Sequence, residues 1–215
     1  SMRIYLDTLR SQNISAEKKQ EIIPRLGVDV NRLEKLVENV LHAARFERHG
    51  YRLHVEPFDL SSLVRERVAA IERTPTGLPK TIAADIQDGI DIVGDAPALG
   101  RAIDAILENS LCYHSGKQIH VAVGLRSSDG KTMISVSDNG VGVDRKDIPR
   151  LFERFYRVGN EMTRQTSGTG LGLYLCREII RAHGGTVMAE SDGLGKGARF
   201  IITLRTMVRH EVSIS

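Results

Sequence analysis

The apolar residues of this chain change period near residue 51, and that change limits the folds open to it more than any other feature. From Ile22 they run Ile22, Leu26, Val30, Leu33, Val37, Val40 and Ala44, in steps of four, four, three, four, three and four. This is close to a heptad seam along one side of a helix. The other faces carry Lys18, Lys19, Asp29, Arg32, Glu34, Lys35 and Glu38. The preceding "MRIYLDTLR" has the texture of the tail of an earlier helix, with Asn13 to Ser15 as the turn and Ser15 as N-cap. Pro24 is expected to kink the second helix, because proline removes one intrahelical bond. A two-helix hairpin cannot bury so long a seam alone, so residues 1–50 are expected to form a helical hairpin that self-associates.

From Tyr51 to the end the pattern is α/β. "YRLHVE" alternates like a strand, "DLSSLVRERVAAIE" is a helix capped by Asp59, and "TIAADI" and "IDIVGD" are strands. "APALGRAIDAILENSLCYH" is a helix with Asp95 as N-cap and Pro97 in its first turn. "QIHVAVGLRS" and "TMISVSD" flank an Asp-Gly turn at 129 and 130 and form a hairpin. A helix from Gly170 to His183 follows, and "TVMAESD" with "ARFIITLR" closes a second hairpin. Helices and mostly antiparallel strands in this order predict an α+β two-layer sandwich over residues 51–215. The 41% hydrophobic content suffices for a real core.

Chemistry concentrates in four places. "SGTGLGL" sets Gly168, Gly170 and Gly172 just before a helix, where phosphates often bind. Leu173 breaks the dinucleotide spacing, and the Gly-Lys-Ser/Thr of a P-loop is absent. "DNGVG", Asp138 to Gly142, ends a strand; its carboxylate can accept from an amino group while Gly140 and Gly142 admit a flat ring. Adenine offers an exocyclic N–H donor where guanine has an acceptor. Taken alone, the motif is more simply a turn aspartate with turn glycines. On the helix from 97 to 114, Leu99, Ile103, Ile106, Leu107 and Ser110 share one side and Arg101, Asp104, Ala105, Glu108 and Cys112 the other. Asn109 sits at the border, a neutral oxygen ligand for a metal carried on phosphates, or an ordinary surface asparagine. Between the glycine clusters, "LFERFYRVGNEMTRQTS" offers Phe152 and Phe155 as anchors. Arg154, Arg157 and Arg164 are phosphate-reaching cations, and the run to Ser167 has the look of a lid.

In this order, "ILENSLCYH", "DNGVG", "LFERFYR" and "GTGLGL" resemble the N, G1, F and G2 boxes of the GHKL ATPases. Within that superfamily the last two are similar to sensor histidine kinases of two-component systems. "RLEKLVENVLHAARFERHGYRLHVEPFDLSSLV" is similar to the second dimerisation helix of those kinases and its run into the ATP-binding domain. The resemblance implies a Bergerat-type fold that binds ATP and Mg2+. Asp138 would read adenine and Asn109 would hold the metal. Gly140, Gly142, Tyr113, Arg154, Arg157, Gly168, Thr169, Gly170, Leu171 and Gly172 would line the nucleotide, and Glu108 would polarise the attacking group. It further implies a homodimer through the hairpin, phosphorylation of a histidine upstream of this sequence, and transfer to an aspartate of a response-regulator receiver domain. A cytoplasmic location, on a parent anchored in the membrane, also follows from the resemblance.

Two features depart from the family pattern. Ala105 and Cys112 stand where its N box has a polar residue and a lysine. A lost lysine–phosphate contact costs about 1–3 kcal/mol. None of the seven histidines lies in a motif like H-E-x-x-x-P. A degenerate signalling module that binds a partner is therefore the alternative, and an ATP-gated ATPase of the chaperone and gyrase kind fits the sandwich but not the heptad helix. The net charge of +3, with 27% charged residues and no dense basic stripe, argues against nucleic acid. Cys112 and Cys176 lack metal or redox spacing, and no apolar run nears the roughly 20 residues of a membrane span. The opening Ser-Met resembles a scar of tag removal, so an excised piece of a longer protein is expected.

Overall fold

The structure, a computed structural model, describes residues 53–114, 116–158 and 169–205 and scattered positions between 8 and 41. It divides into two units, Ser1–Arg45 and Phe46–Ser215. In the first, the described residues between 18 and 41 are helical, Pro24 among them. Ser15 caps this helix as expected: its Oγ accepts the Lys18 N–H at 3.3 Å and its carbonyl accepts the Lys19 N–H at 3.1 Å. Ile22 is buried, whereas Val30, Leu33, Val37 and Val40 along the same seam are all exposed. Ala44, His42 and His49 lie outside the described residues.

The second unit begins with β1 (Glu56–Asp59) and α1 (Leu60–Arg73). Asp59 accepts the Ser62 N–H at 3.0 Å, and hydrogen bonding from Ser62 holds its carboxyl below the usual range. Leu60, Val64, Val68 and Ile71, spaced by four, four and three, form the buried face of α1. At its far end Lys80 Nζ donates to the Ile71 carbonyl at 2.7 Å and to that of Thr74, satisfying acceptors the helix leaves open. β2 (Lys80–Ile86) and β3 (Asp91–Gly94) lead to α2 (Ala96–Cys112). Asp95 caps α2 through the Ala98 N–H at 2.8 Å, with Pro97 in the first turn.

The expected strand over residues 51–56 is a correction. Residues 53–55 are irregular and β1 starts at Glu56. The cause is local: β3 has four residues, and beyond it Asp95 takes the His54 N–H at 3.1 Å, so that donor is spent on a helix cap rather than a ladder. β1 and β3 form a two-stranded antiparallel sheet of their own.

β4 (Ile119–Ser128) and β5 (Lys131–Asp138) form the first expected hairpin. Its turn residues Asp129 and Gly130 both have positive φ, 50° and 70°, as a tight hairpin turn requires. After a 3-10 turn at Ile148–Arg150 come α3 (Gly172–Ala182), β6 (Thr186–Glu190) and β7 (Arg199–Arg205). The helix expected from Gly170 starts two residues later, because Gly170 adopts a φ of +70° that no helix continues. The main sheet has the order β2-β4-β5-β7-β6, parallel between β2 and β4 and antiparallel elsewhere.

Alternate residues of its strands face the helices. Val123, Val136 and Phe200 lie across from one another in register, as do Leu125, Ile134 and Ile202, and all six are buried. Each such side chain contributes roughly 1.5–3 kcal/mol of transfer free energy. Against them pack Leu99, Ala102, Ile103, Ile106 and Leu107 of α2 and Cys176, Ile179 and Ile180 of α3. The two-layer sandwich is thus the observed architecture. Because Asp95 serves both α2 and His54, Asp95→Ala is expected to lose about 1–2 kcal/mol. Urea denaturation measures this, and a loss of only a few tenths would show that water replaces the cap.

Candidate functional site

The site is built around the last residue of β5. Asp138 is half-buried, and its Oδ1 accepts the N–H groups of Gly140 at 2.8 Å and Ala198 at 3.1 Å. Its Oδ2 accepts the Ser110 hydroxyl at 3.2 Å. Burial raises the carboxyl above its ordinary range, while the three donors pull it back toward ionisation. Donors on both oxygens still leave lone pairs on Oδ2 open to a further donor.

Backbone geometry explains the glycine after it. A Cβ at Gly140 would stand 2.3 Å from the Tyr113 carbonyl oxygen, so no side chain fits. That carbonyl accepts the Val141 N–H at 2.8 Å, which ties the end of α2 to the Asp138 loop. Tyr113 and Gly140, both named from the sequence as nucleotide-lining, thus meet through their backbones. On the other side the loop between β6 and β7 zips onto it: Gly195 N–H donates to Val141 O at 2.7 Å and Gly197 N–H to Gly140 O at 3.2 Å. Gly142 packs against Gly193 in that loop. Ser191 Oγ receives the Val143 N–H at 3.0 Å and donates to Gly197 O at 2.7 Å.

These contacts bring in residues that sequence reasoning passed over: Ser110, Ser191, Gly193, Gly195, Gly197 and Ala198. The loop carried a visible signal, since glycines alternate at 193, 195 and 197 just as they do at 168, 170 and 172. Ser110 was visible too, as the one hydroxyl on an otherwise apolar helix face.

The second glycine cluster sits at the start of α3. Gly168 and Arg164 lie outside the described residues. Gly170, at positive φ, lies against the Phe155 backbone: a Cβ there would meet the Phe155 Cα at 2.8 Å, and Phe155 N–H donates to Gly170 O at 3.0 Å. Phe155 itself has a φ of 62°, strained for a non-glycine residue. The residue is 57% exposed, so of the two expected anchors only Phe152 is one, buried in the core. Phe155 instead contributes its backbone, and Arg154, exposed, lays its guanidinium 4.8 Å from the ring centroid. Arg157 is half-buried.

Thr169 Oγ1 accepts the Leu171 N–H at 3.2 Å, and Leu171 is buried. Leu171 occupies the N-cap position of α3 and makes no side-chain cap, so among the described residues the first-turn N–H groups have no capping side chain to bind them. An anion suits such an end. A Cβ at Gly172 would lie 3.8 Å from the Ala105 Cβ, which sets the start of α3 beside the middle of α2. One turn beyond Ala105, Asn109 is half-buried, and among the described residues its side chain takes part in no hydrogen bond. Glu108 is exposed. Among the described residues no group of three or more His, Cys, Asp and Glu is placed to hold a metal ion.

The balance at Asp138 gives a test. Its folded carboxyl titrates above the ordinary range, so its ionisation costs fold stability, in full above the folded value and not at all below the ordinary one. In Asp138→Asn the amide oxygen still accepts from Gly140 and Ala198. Its nitrogen can donate to Ser110 Oγ, whose proton turns to the Ile106 carbonyl at 3.3 Å. The unliganded variant is expected to melt at or above the wild-type temperature at pH 7, with the advantage vanishing in acid. Melting well below wild type at neutral pH would refute this account.

Residues 94–207 match the family described as "Histidine kinase-, DNA gyrase B-, and HSP90-like ATPase". The chain is 29% identical over 209 residues to the sensor histidine kinase WalK of Bacillus subtilis, covering 95% of this chain and 34% of that protein. It is 31% identical over 225 residues to the sensor protein ChvG of Agrobacterium fabrum, covering 98% and 37%. It thus spans about a third of the length of these relatives. Among solved structures, full-length ShkA in complex with AMPPNP superposes with a TM-score of 0.68 at 25% identity, over 92% of this chain and 41% of that one. Nothing in these matches favours a degenerate module. The chain belongs to the histidine kinase-, DNA gyrase B- and HSP90-like ATPase family and carries the ATP-binding domain found in sensor histidine kinases.

Proposed function

We propose that this chain is the catalytic ATP-binding part of a two-component sensor kinase. In the whole protein it delivers the γ-phosphoryl group of ATP to a histidine N-terminal to this sequence, from which an aspartate of a response-regulator receiver domain takes it. The observation that carries the reading is the Asp138 carboxylate, half-buried, triply hydrogen-bonded and still able to accept from an exocyclic amine. Gly140 brings the backbone close beneath it. The uncapped start of α3, with Thr169, Gly170, Leu171 and Gly172, receives phosphate oxygens, helped by Arg154 and Arg157.

Mg2+, when bound, neutralises charge between the phosphates. Asn109 would hold the ion through its neutral side-chain oxygen. Glu108, adjacent and exposed, is our assignment for polarising the attacking imidazole. In the transfer, the imidazole nitrogen's lone pair forms the N–P bond while the bond to the β–γ bridging oxygen breaks and ADP leaves. The exposed seam of Val30, Leu33, Val37 and Val40 supports pairing of the N-terminal helix with a second copy. Among the described residues no helix is long and apolar enough to cross a membrane. Anchorage of the parent in a membrane, with this part on the cytoplasmic side, is part of the proposal.

Titration calorimetry with AMPPNP tests the site directly. Micromolar binding is expected, tightened by Mg2+. Asp138→Asn should weaken it at least tenfold, because the amide turns a donor toward the adenine amine. Asn109→Ala should remove the Mg2+-dependent gain and leave Mg2+-free affinity nearly unchanged. No binding by the wild-type chain at millimolar nucleotide would overturn the assignment.

A further inference from the structure

Ser110 is 1% exposed, inside the apolar face of α2, and nothing in its packing calls for a hydroxyl. Its Oγ stands between two acceptors, the Asp138 Oδ2 at 3.2 Å and the Ile106 carbonyl one helical turn back at 3.3 Å. It has a single proton to give. When Asp138 is ionised, that proton goes to the carboxylate, because a bond to a charged acceptor is the stronger. When Asp138 is protonated, the serine back-bonds to Ile106 and can accept from the acid, so it is satisfied in either state. The other two donors to Asp138 are backbone N–H groups and both bind Oδ1. Ser110 is therefore the only side chain among the described residues that steadies Oδ2, the oxygen with capacity left for a ligand.

We propose that Ser110 is a positioning residue for base recognition, which fixes the direction of the remaining Oδ2 lone pair and keeps it available to a 6-amino purine. The inference rests on the reading of Asp138 as the adenine acceptor. It also joins two parts of the site, since Ser110 follows Asn109 directly on α2. The base-reading carboxylate is thereby tied to the helix that carries the metal-side asparagine.

The consequence for pH follows from the charge balance. Burial raises the Asp138 carboxyl, and the Ser110 bond is one of the contacts that oppose the rise. The titratable or charged side chains on the surrounding elements are Arg101, Asp104, Glu108 and Cys112 on α2 with Tyr113 just after it, His120 and Arg126 on β4, Lys131 on β5, Asp192 and Lys196 between β6 and β7, and Arg199 and Arg205 on β7. None of them contributes to the shift, which is set by burial and the three donors. Removing the hydroxyl must then let Asp138 take up a proton at higher pH, and a carboxylic acid no longer offers the same acceptor to the base.

The test is calorimetry on the whole chain with AMPPNP and with adenosine, which has no titrating phosphate, across roughly pH 5 to 8. Ser110→Ala removes one oxygen and keeps a good helix former, so the fold should survive. The variant is expected to bind both ligands about three- to tenfold more weakly at pH 7. By the same factor for each, this places the defect on the base. Its affinity should also fall away at higher pH than wild type as the solution is acidified. Wild-type affinity in Ser110→Ala, or a loss with an unmoved acid limb, would overturn the inference. Asp138→Asn runs beside it: if that variant binds adenosine as tightly as wild type, the reading of Asp138 itself fails.

Discussion

The carboxylate of Asp138 is the point at which the separate pieces of this domain are made to agree. Burial disfavours its charge, and donors from three places oppose that: the turn after β5, the loop before β7, and the core-facing side of the last turn of α2. Only the Gly140 donor is local to Asp138; Ala198 and Ser110 come from distant parts of the chain. Ala198 reaches it because Ser137 pairs with Arg199 across the β5–β7 ladder, so that Asp138 N–H and Ala198 O close the next bond at 2.9 Å. A slip of one residue in that register would turn the carboxylate to the opposite face of the sheet and Val136 with it. The hydrophobic pattern of Ile134, Val136, Phe200 and Ile202 therefore sets the binding geometry as well as the core.

The helix of the glycine cluster is secured at both ends by different means. At its start, Gly170 and Phe155 approach backbone to backbone, and Phe155 accepts a strained conformation to do so. At its end, His183 Nδ1 lies 2.8 Å from the Ile179 carbonyl while Nε2 receives the Asp95 N–H at 3.0 Å. The network assigns the tautomer, with the proton on Nδ1 and the lone pair on Nε2. Asp95 is at the same time the cap of α2, so α2 and α3 are linked where one begins and the other ends, besides packing along their lengths. The two helices that flank the expected phosphate position thus hold a common register. Leu171 and Asn109 inherit their separation from this frame.

Much of this was legible in the chain before any coordinates. The caps Ser15, Asp59 and Asp95, the Asp-Gly hairpin, the buried face of α2 and the order of the motifs all rest on short-range rules, and each appears as expected. The failures share a cause. Residues 53–55 alternate like a strand yet have no partner, because His54 donates to a cap 41 residues away. Phe155 has the composition of an anchor but is spent as backbone against Gly170. The loop from Ser191 to Ala198 escaped notice because its importance lies in pairing with a segment some 50 residues earlier. Pattern reading sees periodicity along the chain; it does not see which distant donor a given acceptor will need.

Ala105 is an instance where structure changes the sense of a sequence observation. Set against the family's N box it is a missing polar group, and so an apparent loss in the phosphate site. In the fold it is half-buried and lies against Gly172, with 3.8 Å between its Cβ and the position a Cβ would take there. Two small residues face each other where α2 and α3 come together, which permits close approach of the helices. A longer side chain at 105 would have to turn into the space in front of Gly172 or push the helices apart. At the proposed phosphate side the electrostatics then depend less on a cation from α2, whose last turn carries no basic residue, and more on the start of α3, which no side chain caps among the described residues. An open helix terminus attracts phosphate through fixed N–H groups that need no rotamer to be frozen. That substitution of dipole for charge makes the departures at Ala105 and Cys112 compatible with a working nucleotide site.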